Sequence, residues 1–218
     1  MSKKLLIVAL VLFAGLAHAQ SLAPFVLQVA AAATLPADSD NFNRANGPVG
    51  GNWTPFTVTD TPYIASNAVG VKRTAYDAGA IWNLRSFGND QYSQCTVQNL
   101  SAAGSHNCYA EIGVRSTSGF NGYWLYCNGG TGAGNFQLSK YSDITTETRL
   151  QNFSTTVNSG DILKIQVVGT TIKVFVNGVQ VGTDQSDATY TTGSPGFDSY
   201  TEADLVKTVD NWKGGQAQ

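Results

Sequence analysis

The stretch Gly160–Gly182, GDILKIQVVGTTIKVFVNGVQVG, decides the fold. Ile162–Val168 reads as a strand, and Gly169-Thr170-Thr171 turns the chain. Ile172–Val176 then runs outward, Asn177-Gly178 turns, and Val179–Gly182 returns. Asn-Gly between β-branched residues is a strong hairpin signal, because both central positions of a type I′ turn need positive φ. Three consecutive antiparallel strands are thus expected from one short segment.

Upstream the same texture continues. Strand patterns occupy Pro62–Lys72, Gly79–Arg85, Gln91–Asn99, Cys108–Arg115, Gly122–Asn128, Phe136–Tyr141 and Thr148–Phe153. Gly193-Ser194-Pro195-Gly196-Phe197 reads as a turn, and Val209–Trp212 as a closing strand. No segment carries helical periodicity beyond about two turns. Many short strands joined by Gly- and Asn-rich turns indicate an all-β fold, an antiparallel jelly-roll β-sandwich.

The N-terminus has a different character. Lys3 and Lys4 precede the apolar run Leu5–Leu16, and Ala17-His18-Ala19 fits a small-x-small cleavage site, so residues 1–19 read as a secretory signal peptide with cleavage after Ala19. The expected localisation is secreted, with no membrane span once the signal is cleaved. Residues 20–38 form a linker or contact segment, without charge from Ser21 to Ala37, residues 39–213 the sandwich, and residues 214–218 a tail. Cleavage leaves eleven basic against fifteen acidic side chains, a net charge of −4. With no basic patch, nucleic acid is not an expected partner. Of the two histidines, His18 lies in the signal and His106 in a loop, so no His/Cys metal site is expected.

An ordered set of motifs stands out: DNFNRANGPVGGNW at 40–53, the block 160–182, TTGSPGF at 191–197 and DNW at 210–212. Over residues 40–213 the chain resembles the concanavalin A-like lectin/glucanase superfamily, in the laminin-G-like branch of bacterial and phage extracellular proteins. The resemblance implies two curved antiparallel sheets with the terminal strands side by side. Asp40–Phe42 is then the first strand with Phe42 in the core. Arg44–Gly51 turns, with Gly47 and Gly50 at positive φ, and Trp53 plugs an end of the sandwich. The resemblance also implies calcium near the paired termini, with Asp40 and Asp210, and with them Asp38, as the candidate ligands.

The glucanases of this superfamily carry Glu-x-Asp-x-x-Glu on one strand face. The nearest match is Glu111-Ile112-Gly113-Val114-Arg115-Ser116, in which two of the three carboxylates are missing. Catalysis of that type is therefore not expected, and a divergent glycoside hydrolase is the last of three readings. Acid pairs such as Asp143 with Glu147, and Glu202 with Asp204, read as solvated charge.

Binding is the first reading. If Ala110, Ile112 and Val114 point into the core, Tyr109, Glu111 and Arg115 point out. If Leu125 and Cys127 point in, Trp124 and Tyr126 point out. Aromatic rings stack on pyranose faces, and Glu and Arg hydrogen-bond hydroxyls, so these five form a candidate site for a glycan or other extracellular polymer. The alternative is structural packing of the same rings. A second reading is a structural or adhesive component that self-associates through residues 20–37. Among the cysteines, a Cys108–Cys127 disulfide is favoured over Cys95–Cys108, with buried free thiols as the alternative.

Overall fold

The computed structural model describes residues 35–72, 76–100, 108–128, 134–201 and 207–218. The expected signal peptide, residues 20–34 of the contact segment, His106, Glu202 and Asp204 lie outside these residues. Among the described residues there is no helix, and none is long and apolar enough to cross a membrane.

Among the described residues seventeen strands follow one another: β1 Ala37–Asp40, β2 Gly47–Pro48, β3 Trp53–Pro55, β4 Tyr63–Ala65, β5 Ala68–Gly70, β6 Tyr76–Asp77, β7 Ala80–Trp82, β8 Gln91–Val97 and β9 Cys108–Ser116. They continue as β10 Gly122–Asn128, β11 Phe136–Asp143, β12 Thr146–Asn152, β13 Ile162–Val168, β14 Thr171–Val176, β15 Val179–Ser186, β16 Ser194–Thr201 and β17 Lys207–Gln216. They form two antiparallel sheets. The first runs β15-β14-β13-β8-β17-β5-β4-β2, with β1 also on β17. The second runs β12-β11-β10-β9-β16-β7-β3, with β6 also on β16. This is the expected jelly-roll sandwich.

The segment 160–182 supplies β13, β14 and the start of β15, and Asn177 and Gly178 turn at φ 51° and 80°. Leu163, Ile165 and Val167 face Ile172, Val174 and Val176 across the hairpin, and all six are buried in the core between the sheets. Opposite them lie Ala110, Ile112 and Val114 of β9 and Tyr123, Leu125 and Cys127 of β10. Burying one face of each strand is what pins the register, since a one-residue slip would turn every apolar side chain outward.

The terminal strands are neighbours: β1 pairs with β17, Asp40 opposite Trp212. Trp53, Trp82 and Trp212 meet edge-on or tilted, with ring centroids 4.6–5.1 Å apart, and Phe42 and Phe197 close the cluster. Two acids hold two of these indoles. Asp40 accepts from Trp53 Nε1 at 2.9 Å, from Arg44 at 2.7 and 3.0 Å and from the Phe42 amide at 2.8 Å. Asp38 accepts from Trp82 Nε1 at 2.9 Å and pairs with Arg85 at 2.7 Å.

Several expectations need correction. The first strand ends at Asp40, and Phe42 enters the core from a left-handed turn at φ 52°. Gly47 lies in β2, and Gly50 alone of the two glycines has positive φ. Residues 194–197 belong to β16 rather than to a turn. Pro195 is tolerated because the β16–β9 register slips there, where no ladder bond is required of it. The sandwich is also longer than expected at both ends. Ala37 and Asp38 pair with Gly215 and Gly214, so residues 214–216 are strand, not tail, and the end of the contact segment is spent on its own sheet.

Cys95, Cys108 and Cys127 are free buried thiols. Cys127 lies opposite Ala110, which leaves Cys108 diagonal to it, wider than a disulfide spans. Cys108 Sγ instead sits 3.2 Å from the hydroxyl of Thr201.

Candidate site on the outer face of the second sheet

Ladder pairing across β11, β10, β9, β16 and the short strands beyond arranges the outward side chains in three rows. The first is Ser139, Trp124, Gly113, Gly196 and Ile81. The second is Gln137, Tyr126, Glu111 and Asp198. The third is Asn128, Tyr109, Tyr200 and Asp77.

The first row is covered at its centre. Trp124 points outward as its parity requires, yet it is 0% exposed. Phe120 stacks on it at 4.6 Å and 3°, and Phe56 meets both rings edge-on at 5.1 and 5.5 Å. Phe56 is carried there by the chain after β3, anchored by its amide on Gly79 O at 3.0 Å and by the Thr57 amide on Ser118 O at 2.9 Å. The indole lies flat over Gly113, where a Cβ would come within 2.6 Å of the ring. The position that bears Asp in the glucanase pattern is glycine here because a tryptophan occupies its space. Trp124 is therefore a packing residue and not an open platform.

Arg115 leaves the face as well. Its φ of 53° breaks the alternation, and the guanidinium turns to the loops at the end of the sandwich. It donates to Asn89 O, Tyr190 O and Gly169 O at 2.7–2.8 Å and is 2% exposed. With three of its N–H groups on backbone carbonyls, it staples three loops and is withdrawn from the candidate site.

Tyr109, Glu111 and Tyr126 are brought together as expected. Tyr109 stacks on Tyr200 at 4.9 Å and 11°, lies 4.9 Å from Tyr126, and donates its hydroxyl to Asp77. Tyr126 accepts from Asn128 Nδ2 at 2.9 Å.

Between the covered row and the tyrosines lies the second row, whose chemistry is unusual. Glu111 is 4%, Asp198 1% and Gln137 5% exposed. Glu111 Oε2, Asp198 Oδ1 and Gln137 Oε1 are buried without a hydrogen-bond partner. Buried polar atoms are nearly always paired, so three unpaired oxygens in one cross-strand row are a departure that calls for a cause. Burial, reinforced by Asp77 and Glu147, pushes the Glu111 pKa well above the usual carboxylate range. Burial, then Asp77 and Glu111, does the same to Asp198. Burial also raises Asp77, against the lowering effect of the Tyr109 hydroxyl. Burial pushes the Tyr126 phenol up to about 12. At one end the row reaches solvent at Glu147, which accepts from Gln137 at 3.0 Å, from Ser139 at 2.6 Å and from Arg149 at 3.4 Å. Glu147 is therefore part of a network, not merely solvated charge.

Asp198, Tyr200, Asp77 and Gln137 were missed from the sequence. Alternation in Phe197-Asp198-Ser199-Tyr200 would have found two of them, had the segment been read as a strand.

The three expected calcium ligands each have partners within the protein. Asp40 has both oxygens committed to Arg44, Trp53 and the Phe42 amide, and although burial acts to raise its pKa, these hydrogen bonds hold it below the usual value. Burial raises Asp210, which accepts from the Asn211 amide and Gln98. Asp38 is held by Trp82 and Arg85. Among the described residues no group of three or more His, Cys, Asp or Glu side chains is placed to hold a metal ion.

No protein-family model and no curated protein matches the chain by sequence. Solved structures do match in shape. The exoplasmic/lumenal domain of VIP36, in its Ca2+/Man-bound form, superposes with a TM-score of 0.55 at 12% identity, covering 77% of this chain and 84% of that one. A Bacillus subtilis protein with a galectin-like fold gives 0.50 at 8% identity over 83% and 98%. The carbohydrate-binding module CBM66 of Bacillus subtilis gives 0.49 at 16% identity over 78% and 91%. With the two-sheet topology, the first two likenesses define the fold: an all-β, concanavalin A-like jelly-roll sandwich.

Proposed function

We propose that the protein is an exported, non-catalytic carbohydrate-binding module that takes its ligand on the outer face of the second sheet, along the row Gln137, Tyr126, Glu111 and Asp198. The observation that carries this reading is the set of three buried oxygens without partners. Sugar hydroxyls are the donors such a row lacks, and half-buried Tyr109 and Tyr126 beside it offer ring surface to a pyranose. The fold lends support, since VIP36 shares it and is described in a Ca2+/Man-bound form. Export rests on the signal-like residues 1–19.

Binding of soluble oligosaccharides to the purified chain, measured by calorimetry after a glycan array, tests the reading. Tyr126→Ala with Tyr109→Ala should abolish the titration while leaving a cooperative melt. If no glycan binds the wild-type chain, the reading is wrong.

A second reading rests on the same row. Glu111 and Asp198 face each other on adjacent strands, and Glu111 adds to the burial that pushes Asp198 toward its protonated form. An acid and a carboxylate on one face are the equipment of glycoside hydrolysis. Release of reducing sugar by the wild type, lost in Glu111→Gln and in Asp198→Asn, would select hydrolysis over binding alone.

A further inference from the structure

Four acids converge on this face: Asp77, Glu111, Asp198 and Glu147. Among the described residues the sole cation paired with any of them is Arg149, on Glu147 at the solvent end. A face so acidic, on which two carboxyls each keep a buried oxygen free of any donor, is complementary to a ligand that brings positive charge as well as hydrogens.

We propose that the row selects glycans bearing free primary amines, with a ligand ammonium seated between Glu111 and Asp198. The proposal rests on the carbohydrate-binding reading and names the ligand class for that site. An ammonium carries three donors and one charge. It can donate to Glu111 Oε2 with Asp198 as the neighbouring carboxyl, because the two residues are direct cross-strand partners. Gln137 Oε1 lies two strands away from Glu111 and takes a hydroxyl of the same glycan. The stacked pair Tyr109–Tyr200 and the neighbouring Tyr126 add ring faces, to which cations are drawn. A neutral hydroxyl would satisfy one oxygen and bring no charge to draw the two raised carboxyls into their ionised form. An N-acetyl group would add bulk and remove the charge. A bare divalent cation is a poor occupant, since among the described residues no three acids are placed to hold one.

Three hexamers with the same β-1,4 backbone isolate the C2 substituent: glucosamine hexamer (ammonium), N-acetylglucosamine hexamer (acetamide) and cellohexaose (hydroxyl). At pH 6 and low salt, calorimetry on the full chain should give the glucosamine hexamer at least about tenfold tighter than the other two. The preference should vanish in the double variant Glu111→Gln, Asp198→Asn, which keeps the volume of both side chains. Asp184→Asn, which removes an exposed charge from the first sheet, should leave the preference intact and so rule out general attraction of a polycation to an acidic protein. Equal affinity for the three hexamers, or a preference that survives in the double variant, overturns the amine proposal while carbohydrate binding stands. Failure of all three hexamers to bind, with other glycans bound on the array, overturns the amine proposal alone. Failure of every glycan overturns both.

Discussion

Two pairs of acids in this sandwich invite comparison. Asp38 and Asp40 lie at the paired termini, and Glu111 and Asp198 lie in the middle of the second sheet's outer face. Both pairs touch aromatic clusters. The terminal pair is fully answered: each carboxylate takes an indole N–H and an arginine. Among the described residues the central pair has no cation, and each acid keeps an unpaired buried oxygen. The same chemical group thus does opposite things. At the termini it ties Trp53 and Trp82 into the core cluster. On the face it leaves hydrogen-bonding capacity without a partner, which is what a binding site needs and a core avoids. Burial alone does not tell the two apart, whereas the inventory of partners does.

The comparison can be broken by mutation. The largest effect is expected from Asp40→Ala, which strands the Trp53 indole, Arg44 and the Phe42 amide together. It should cost about 2–4 kcal/mol in a urea melt. A loss below about 0.5 kcal/mol would mean that the terminal pair is not structural.

The central pair should respond with the opposite sign. Its folded-state pKa values are raised above an unfolded value of about 4, so the folded state binds the extra proton. Stability from this source is therefore fully present below about pH 4 and is lost as pH rises toward the folded pKa values. The double variant Glu111→Gln, Asp198→Asn should be more stable than wild type by about 1–3 kcal/mol at pH 8 and indistinguishable from it near pH 4. Asp40 contributes the other limb, because its lowered pKa makes its stabilisation fade as pH falls below about 4. Wild-type stability should peak between these limbs, and Asp40→Ala should flatten only the acid one.

Arg85→Ala removes a half-exposed partner from Asp38 while Trp82 remains, so a loss of about 0.2–1 kcal/mol is expected from the same melts. The smallest expected effect is that of chelator, which should leave the melting temperature unchanged. A fall would restore Asp40 and Asp210 as metal ligands.

Much of the architecture is legible in the residues. The Asn177-Gly178 turn and the strands around it, the bounds of β10 and β13, and the inward parity of Ala110, Ile112, Val114 and Leu125 follow from local patterns. Half of the candidate site follows too, since Tyr109, Glu111 and Tyr126 share a face by alternation. Asp198 was not legible for a local reason: Pro195 and Gly196 imitate a turn at the irregular start of β16. Arg115 was misplaced because one left-handed residue ends the alternation that had placed it.

The sequence by itself determined the sheet content, the main hairpins and which way most side chains point. These depend on backbone periodicity and turn chemistry, which act within a few residues. Only the tertiary structure decided that Trp124 is roofed by Phe56 and Phe120, and that Glu111 stands opposite Asp198. Both facts depend on register and packing between segments far apart in the chain. No local pattern carries that information, because neighbours across strands are chosen by the whole fold.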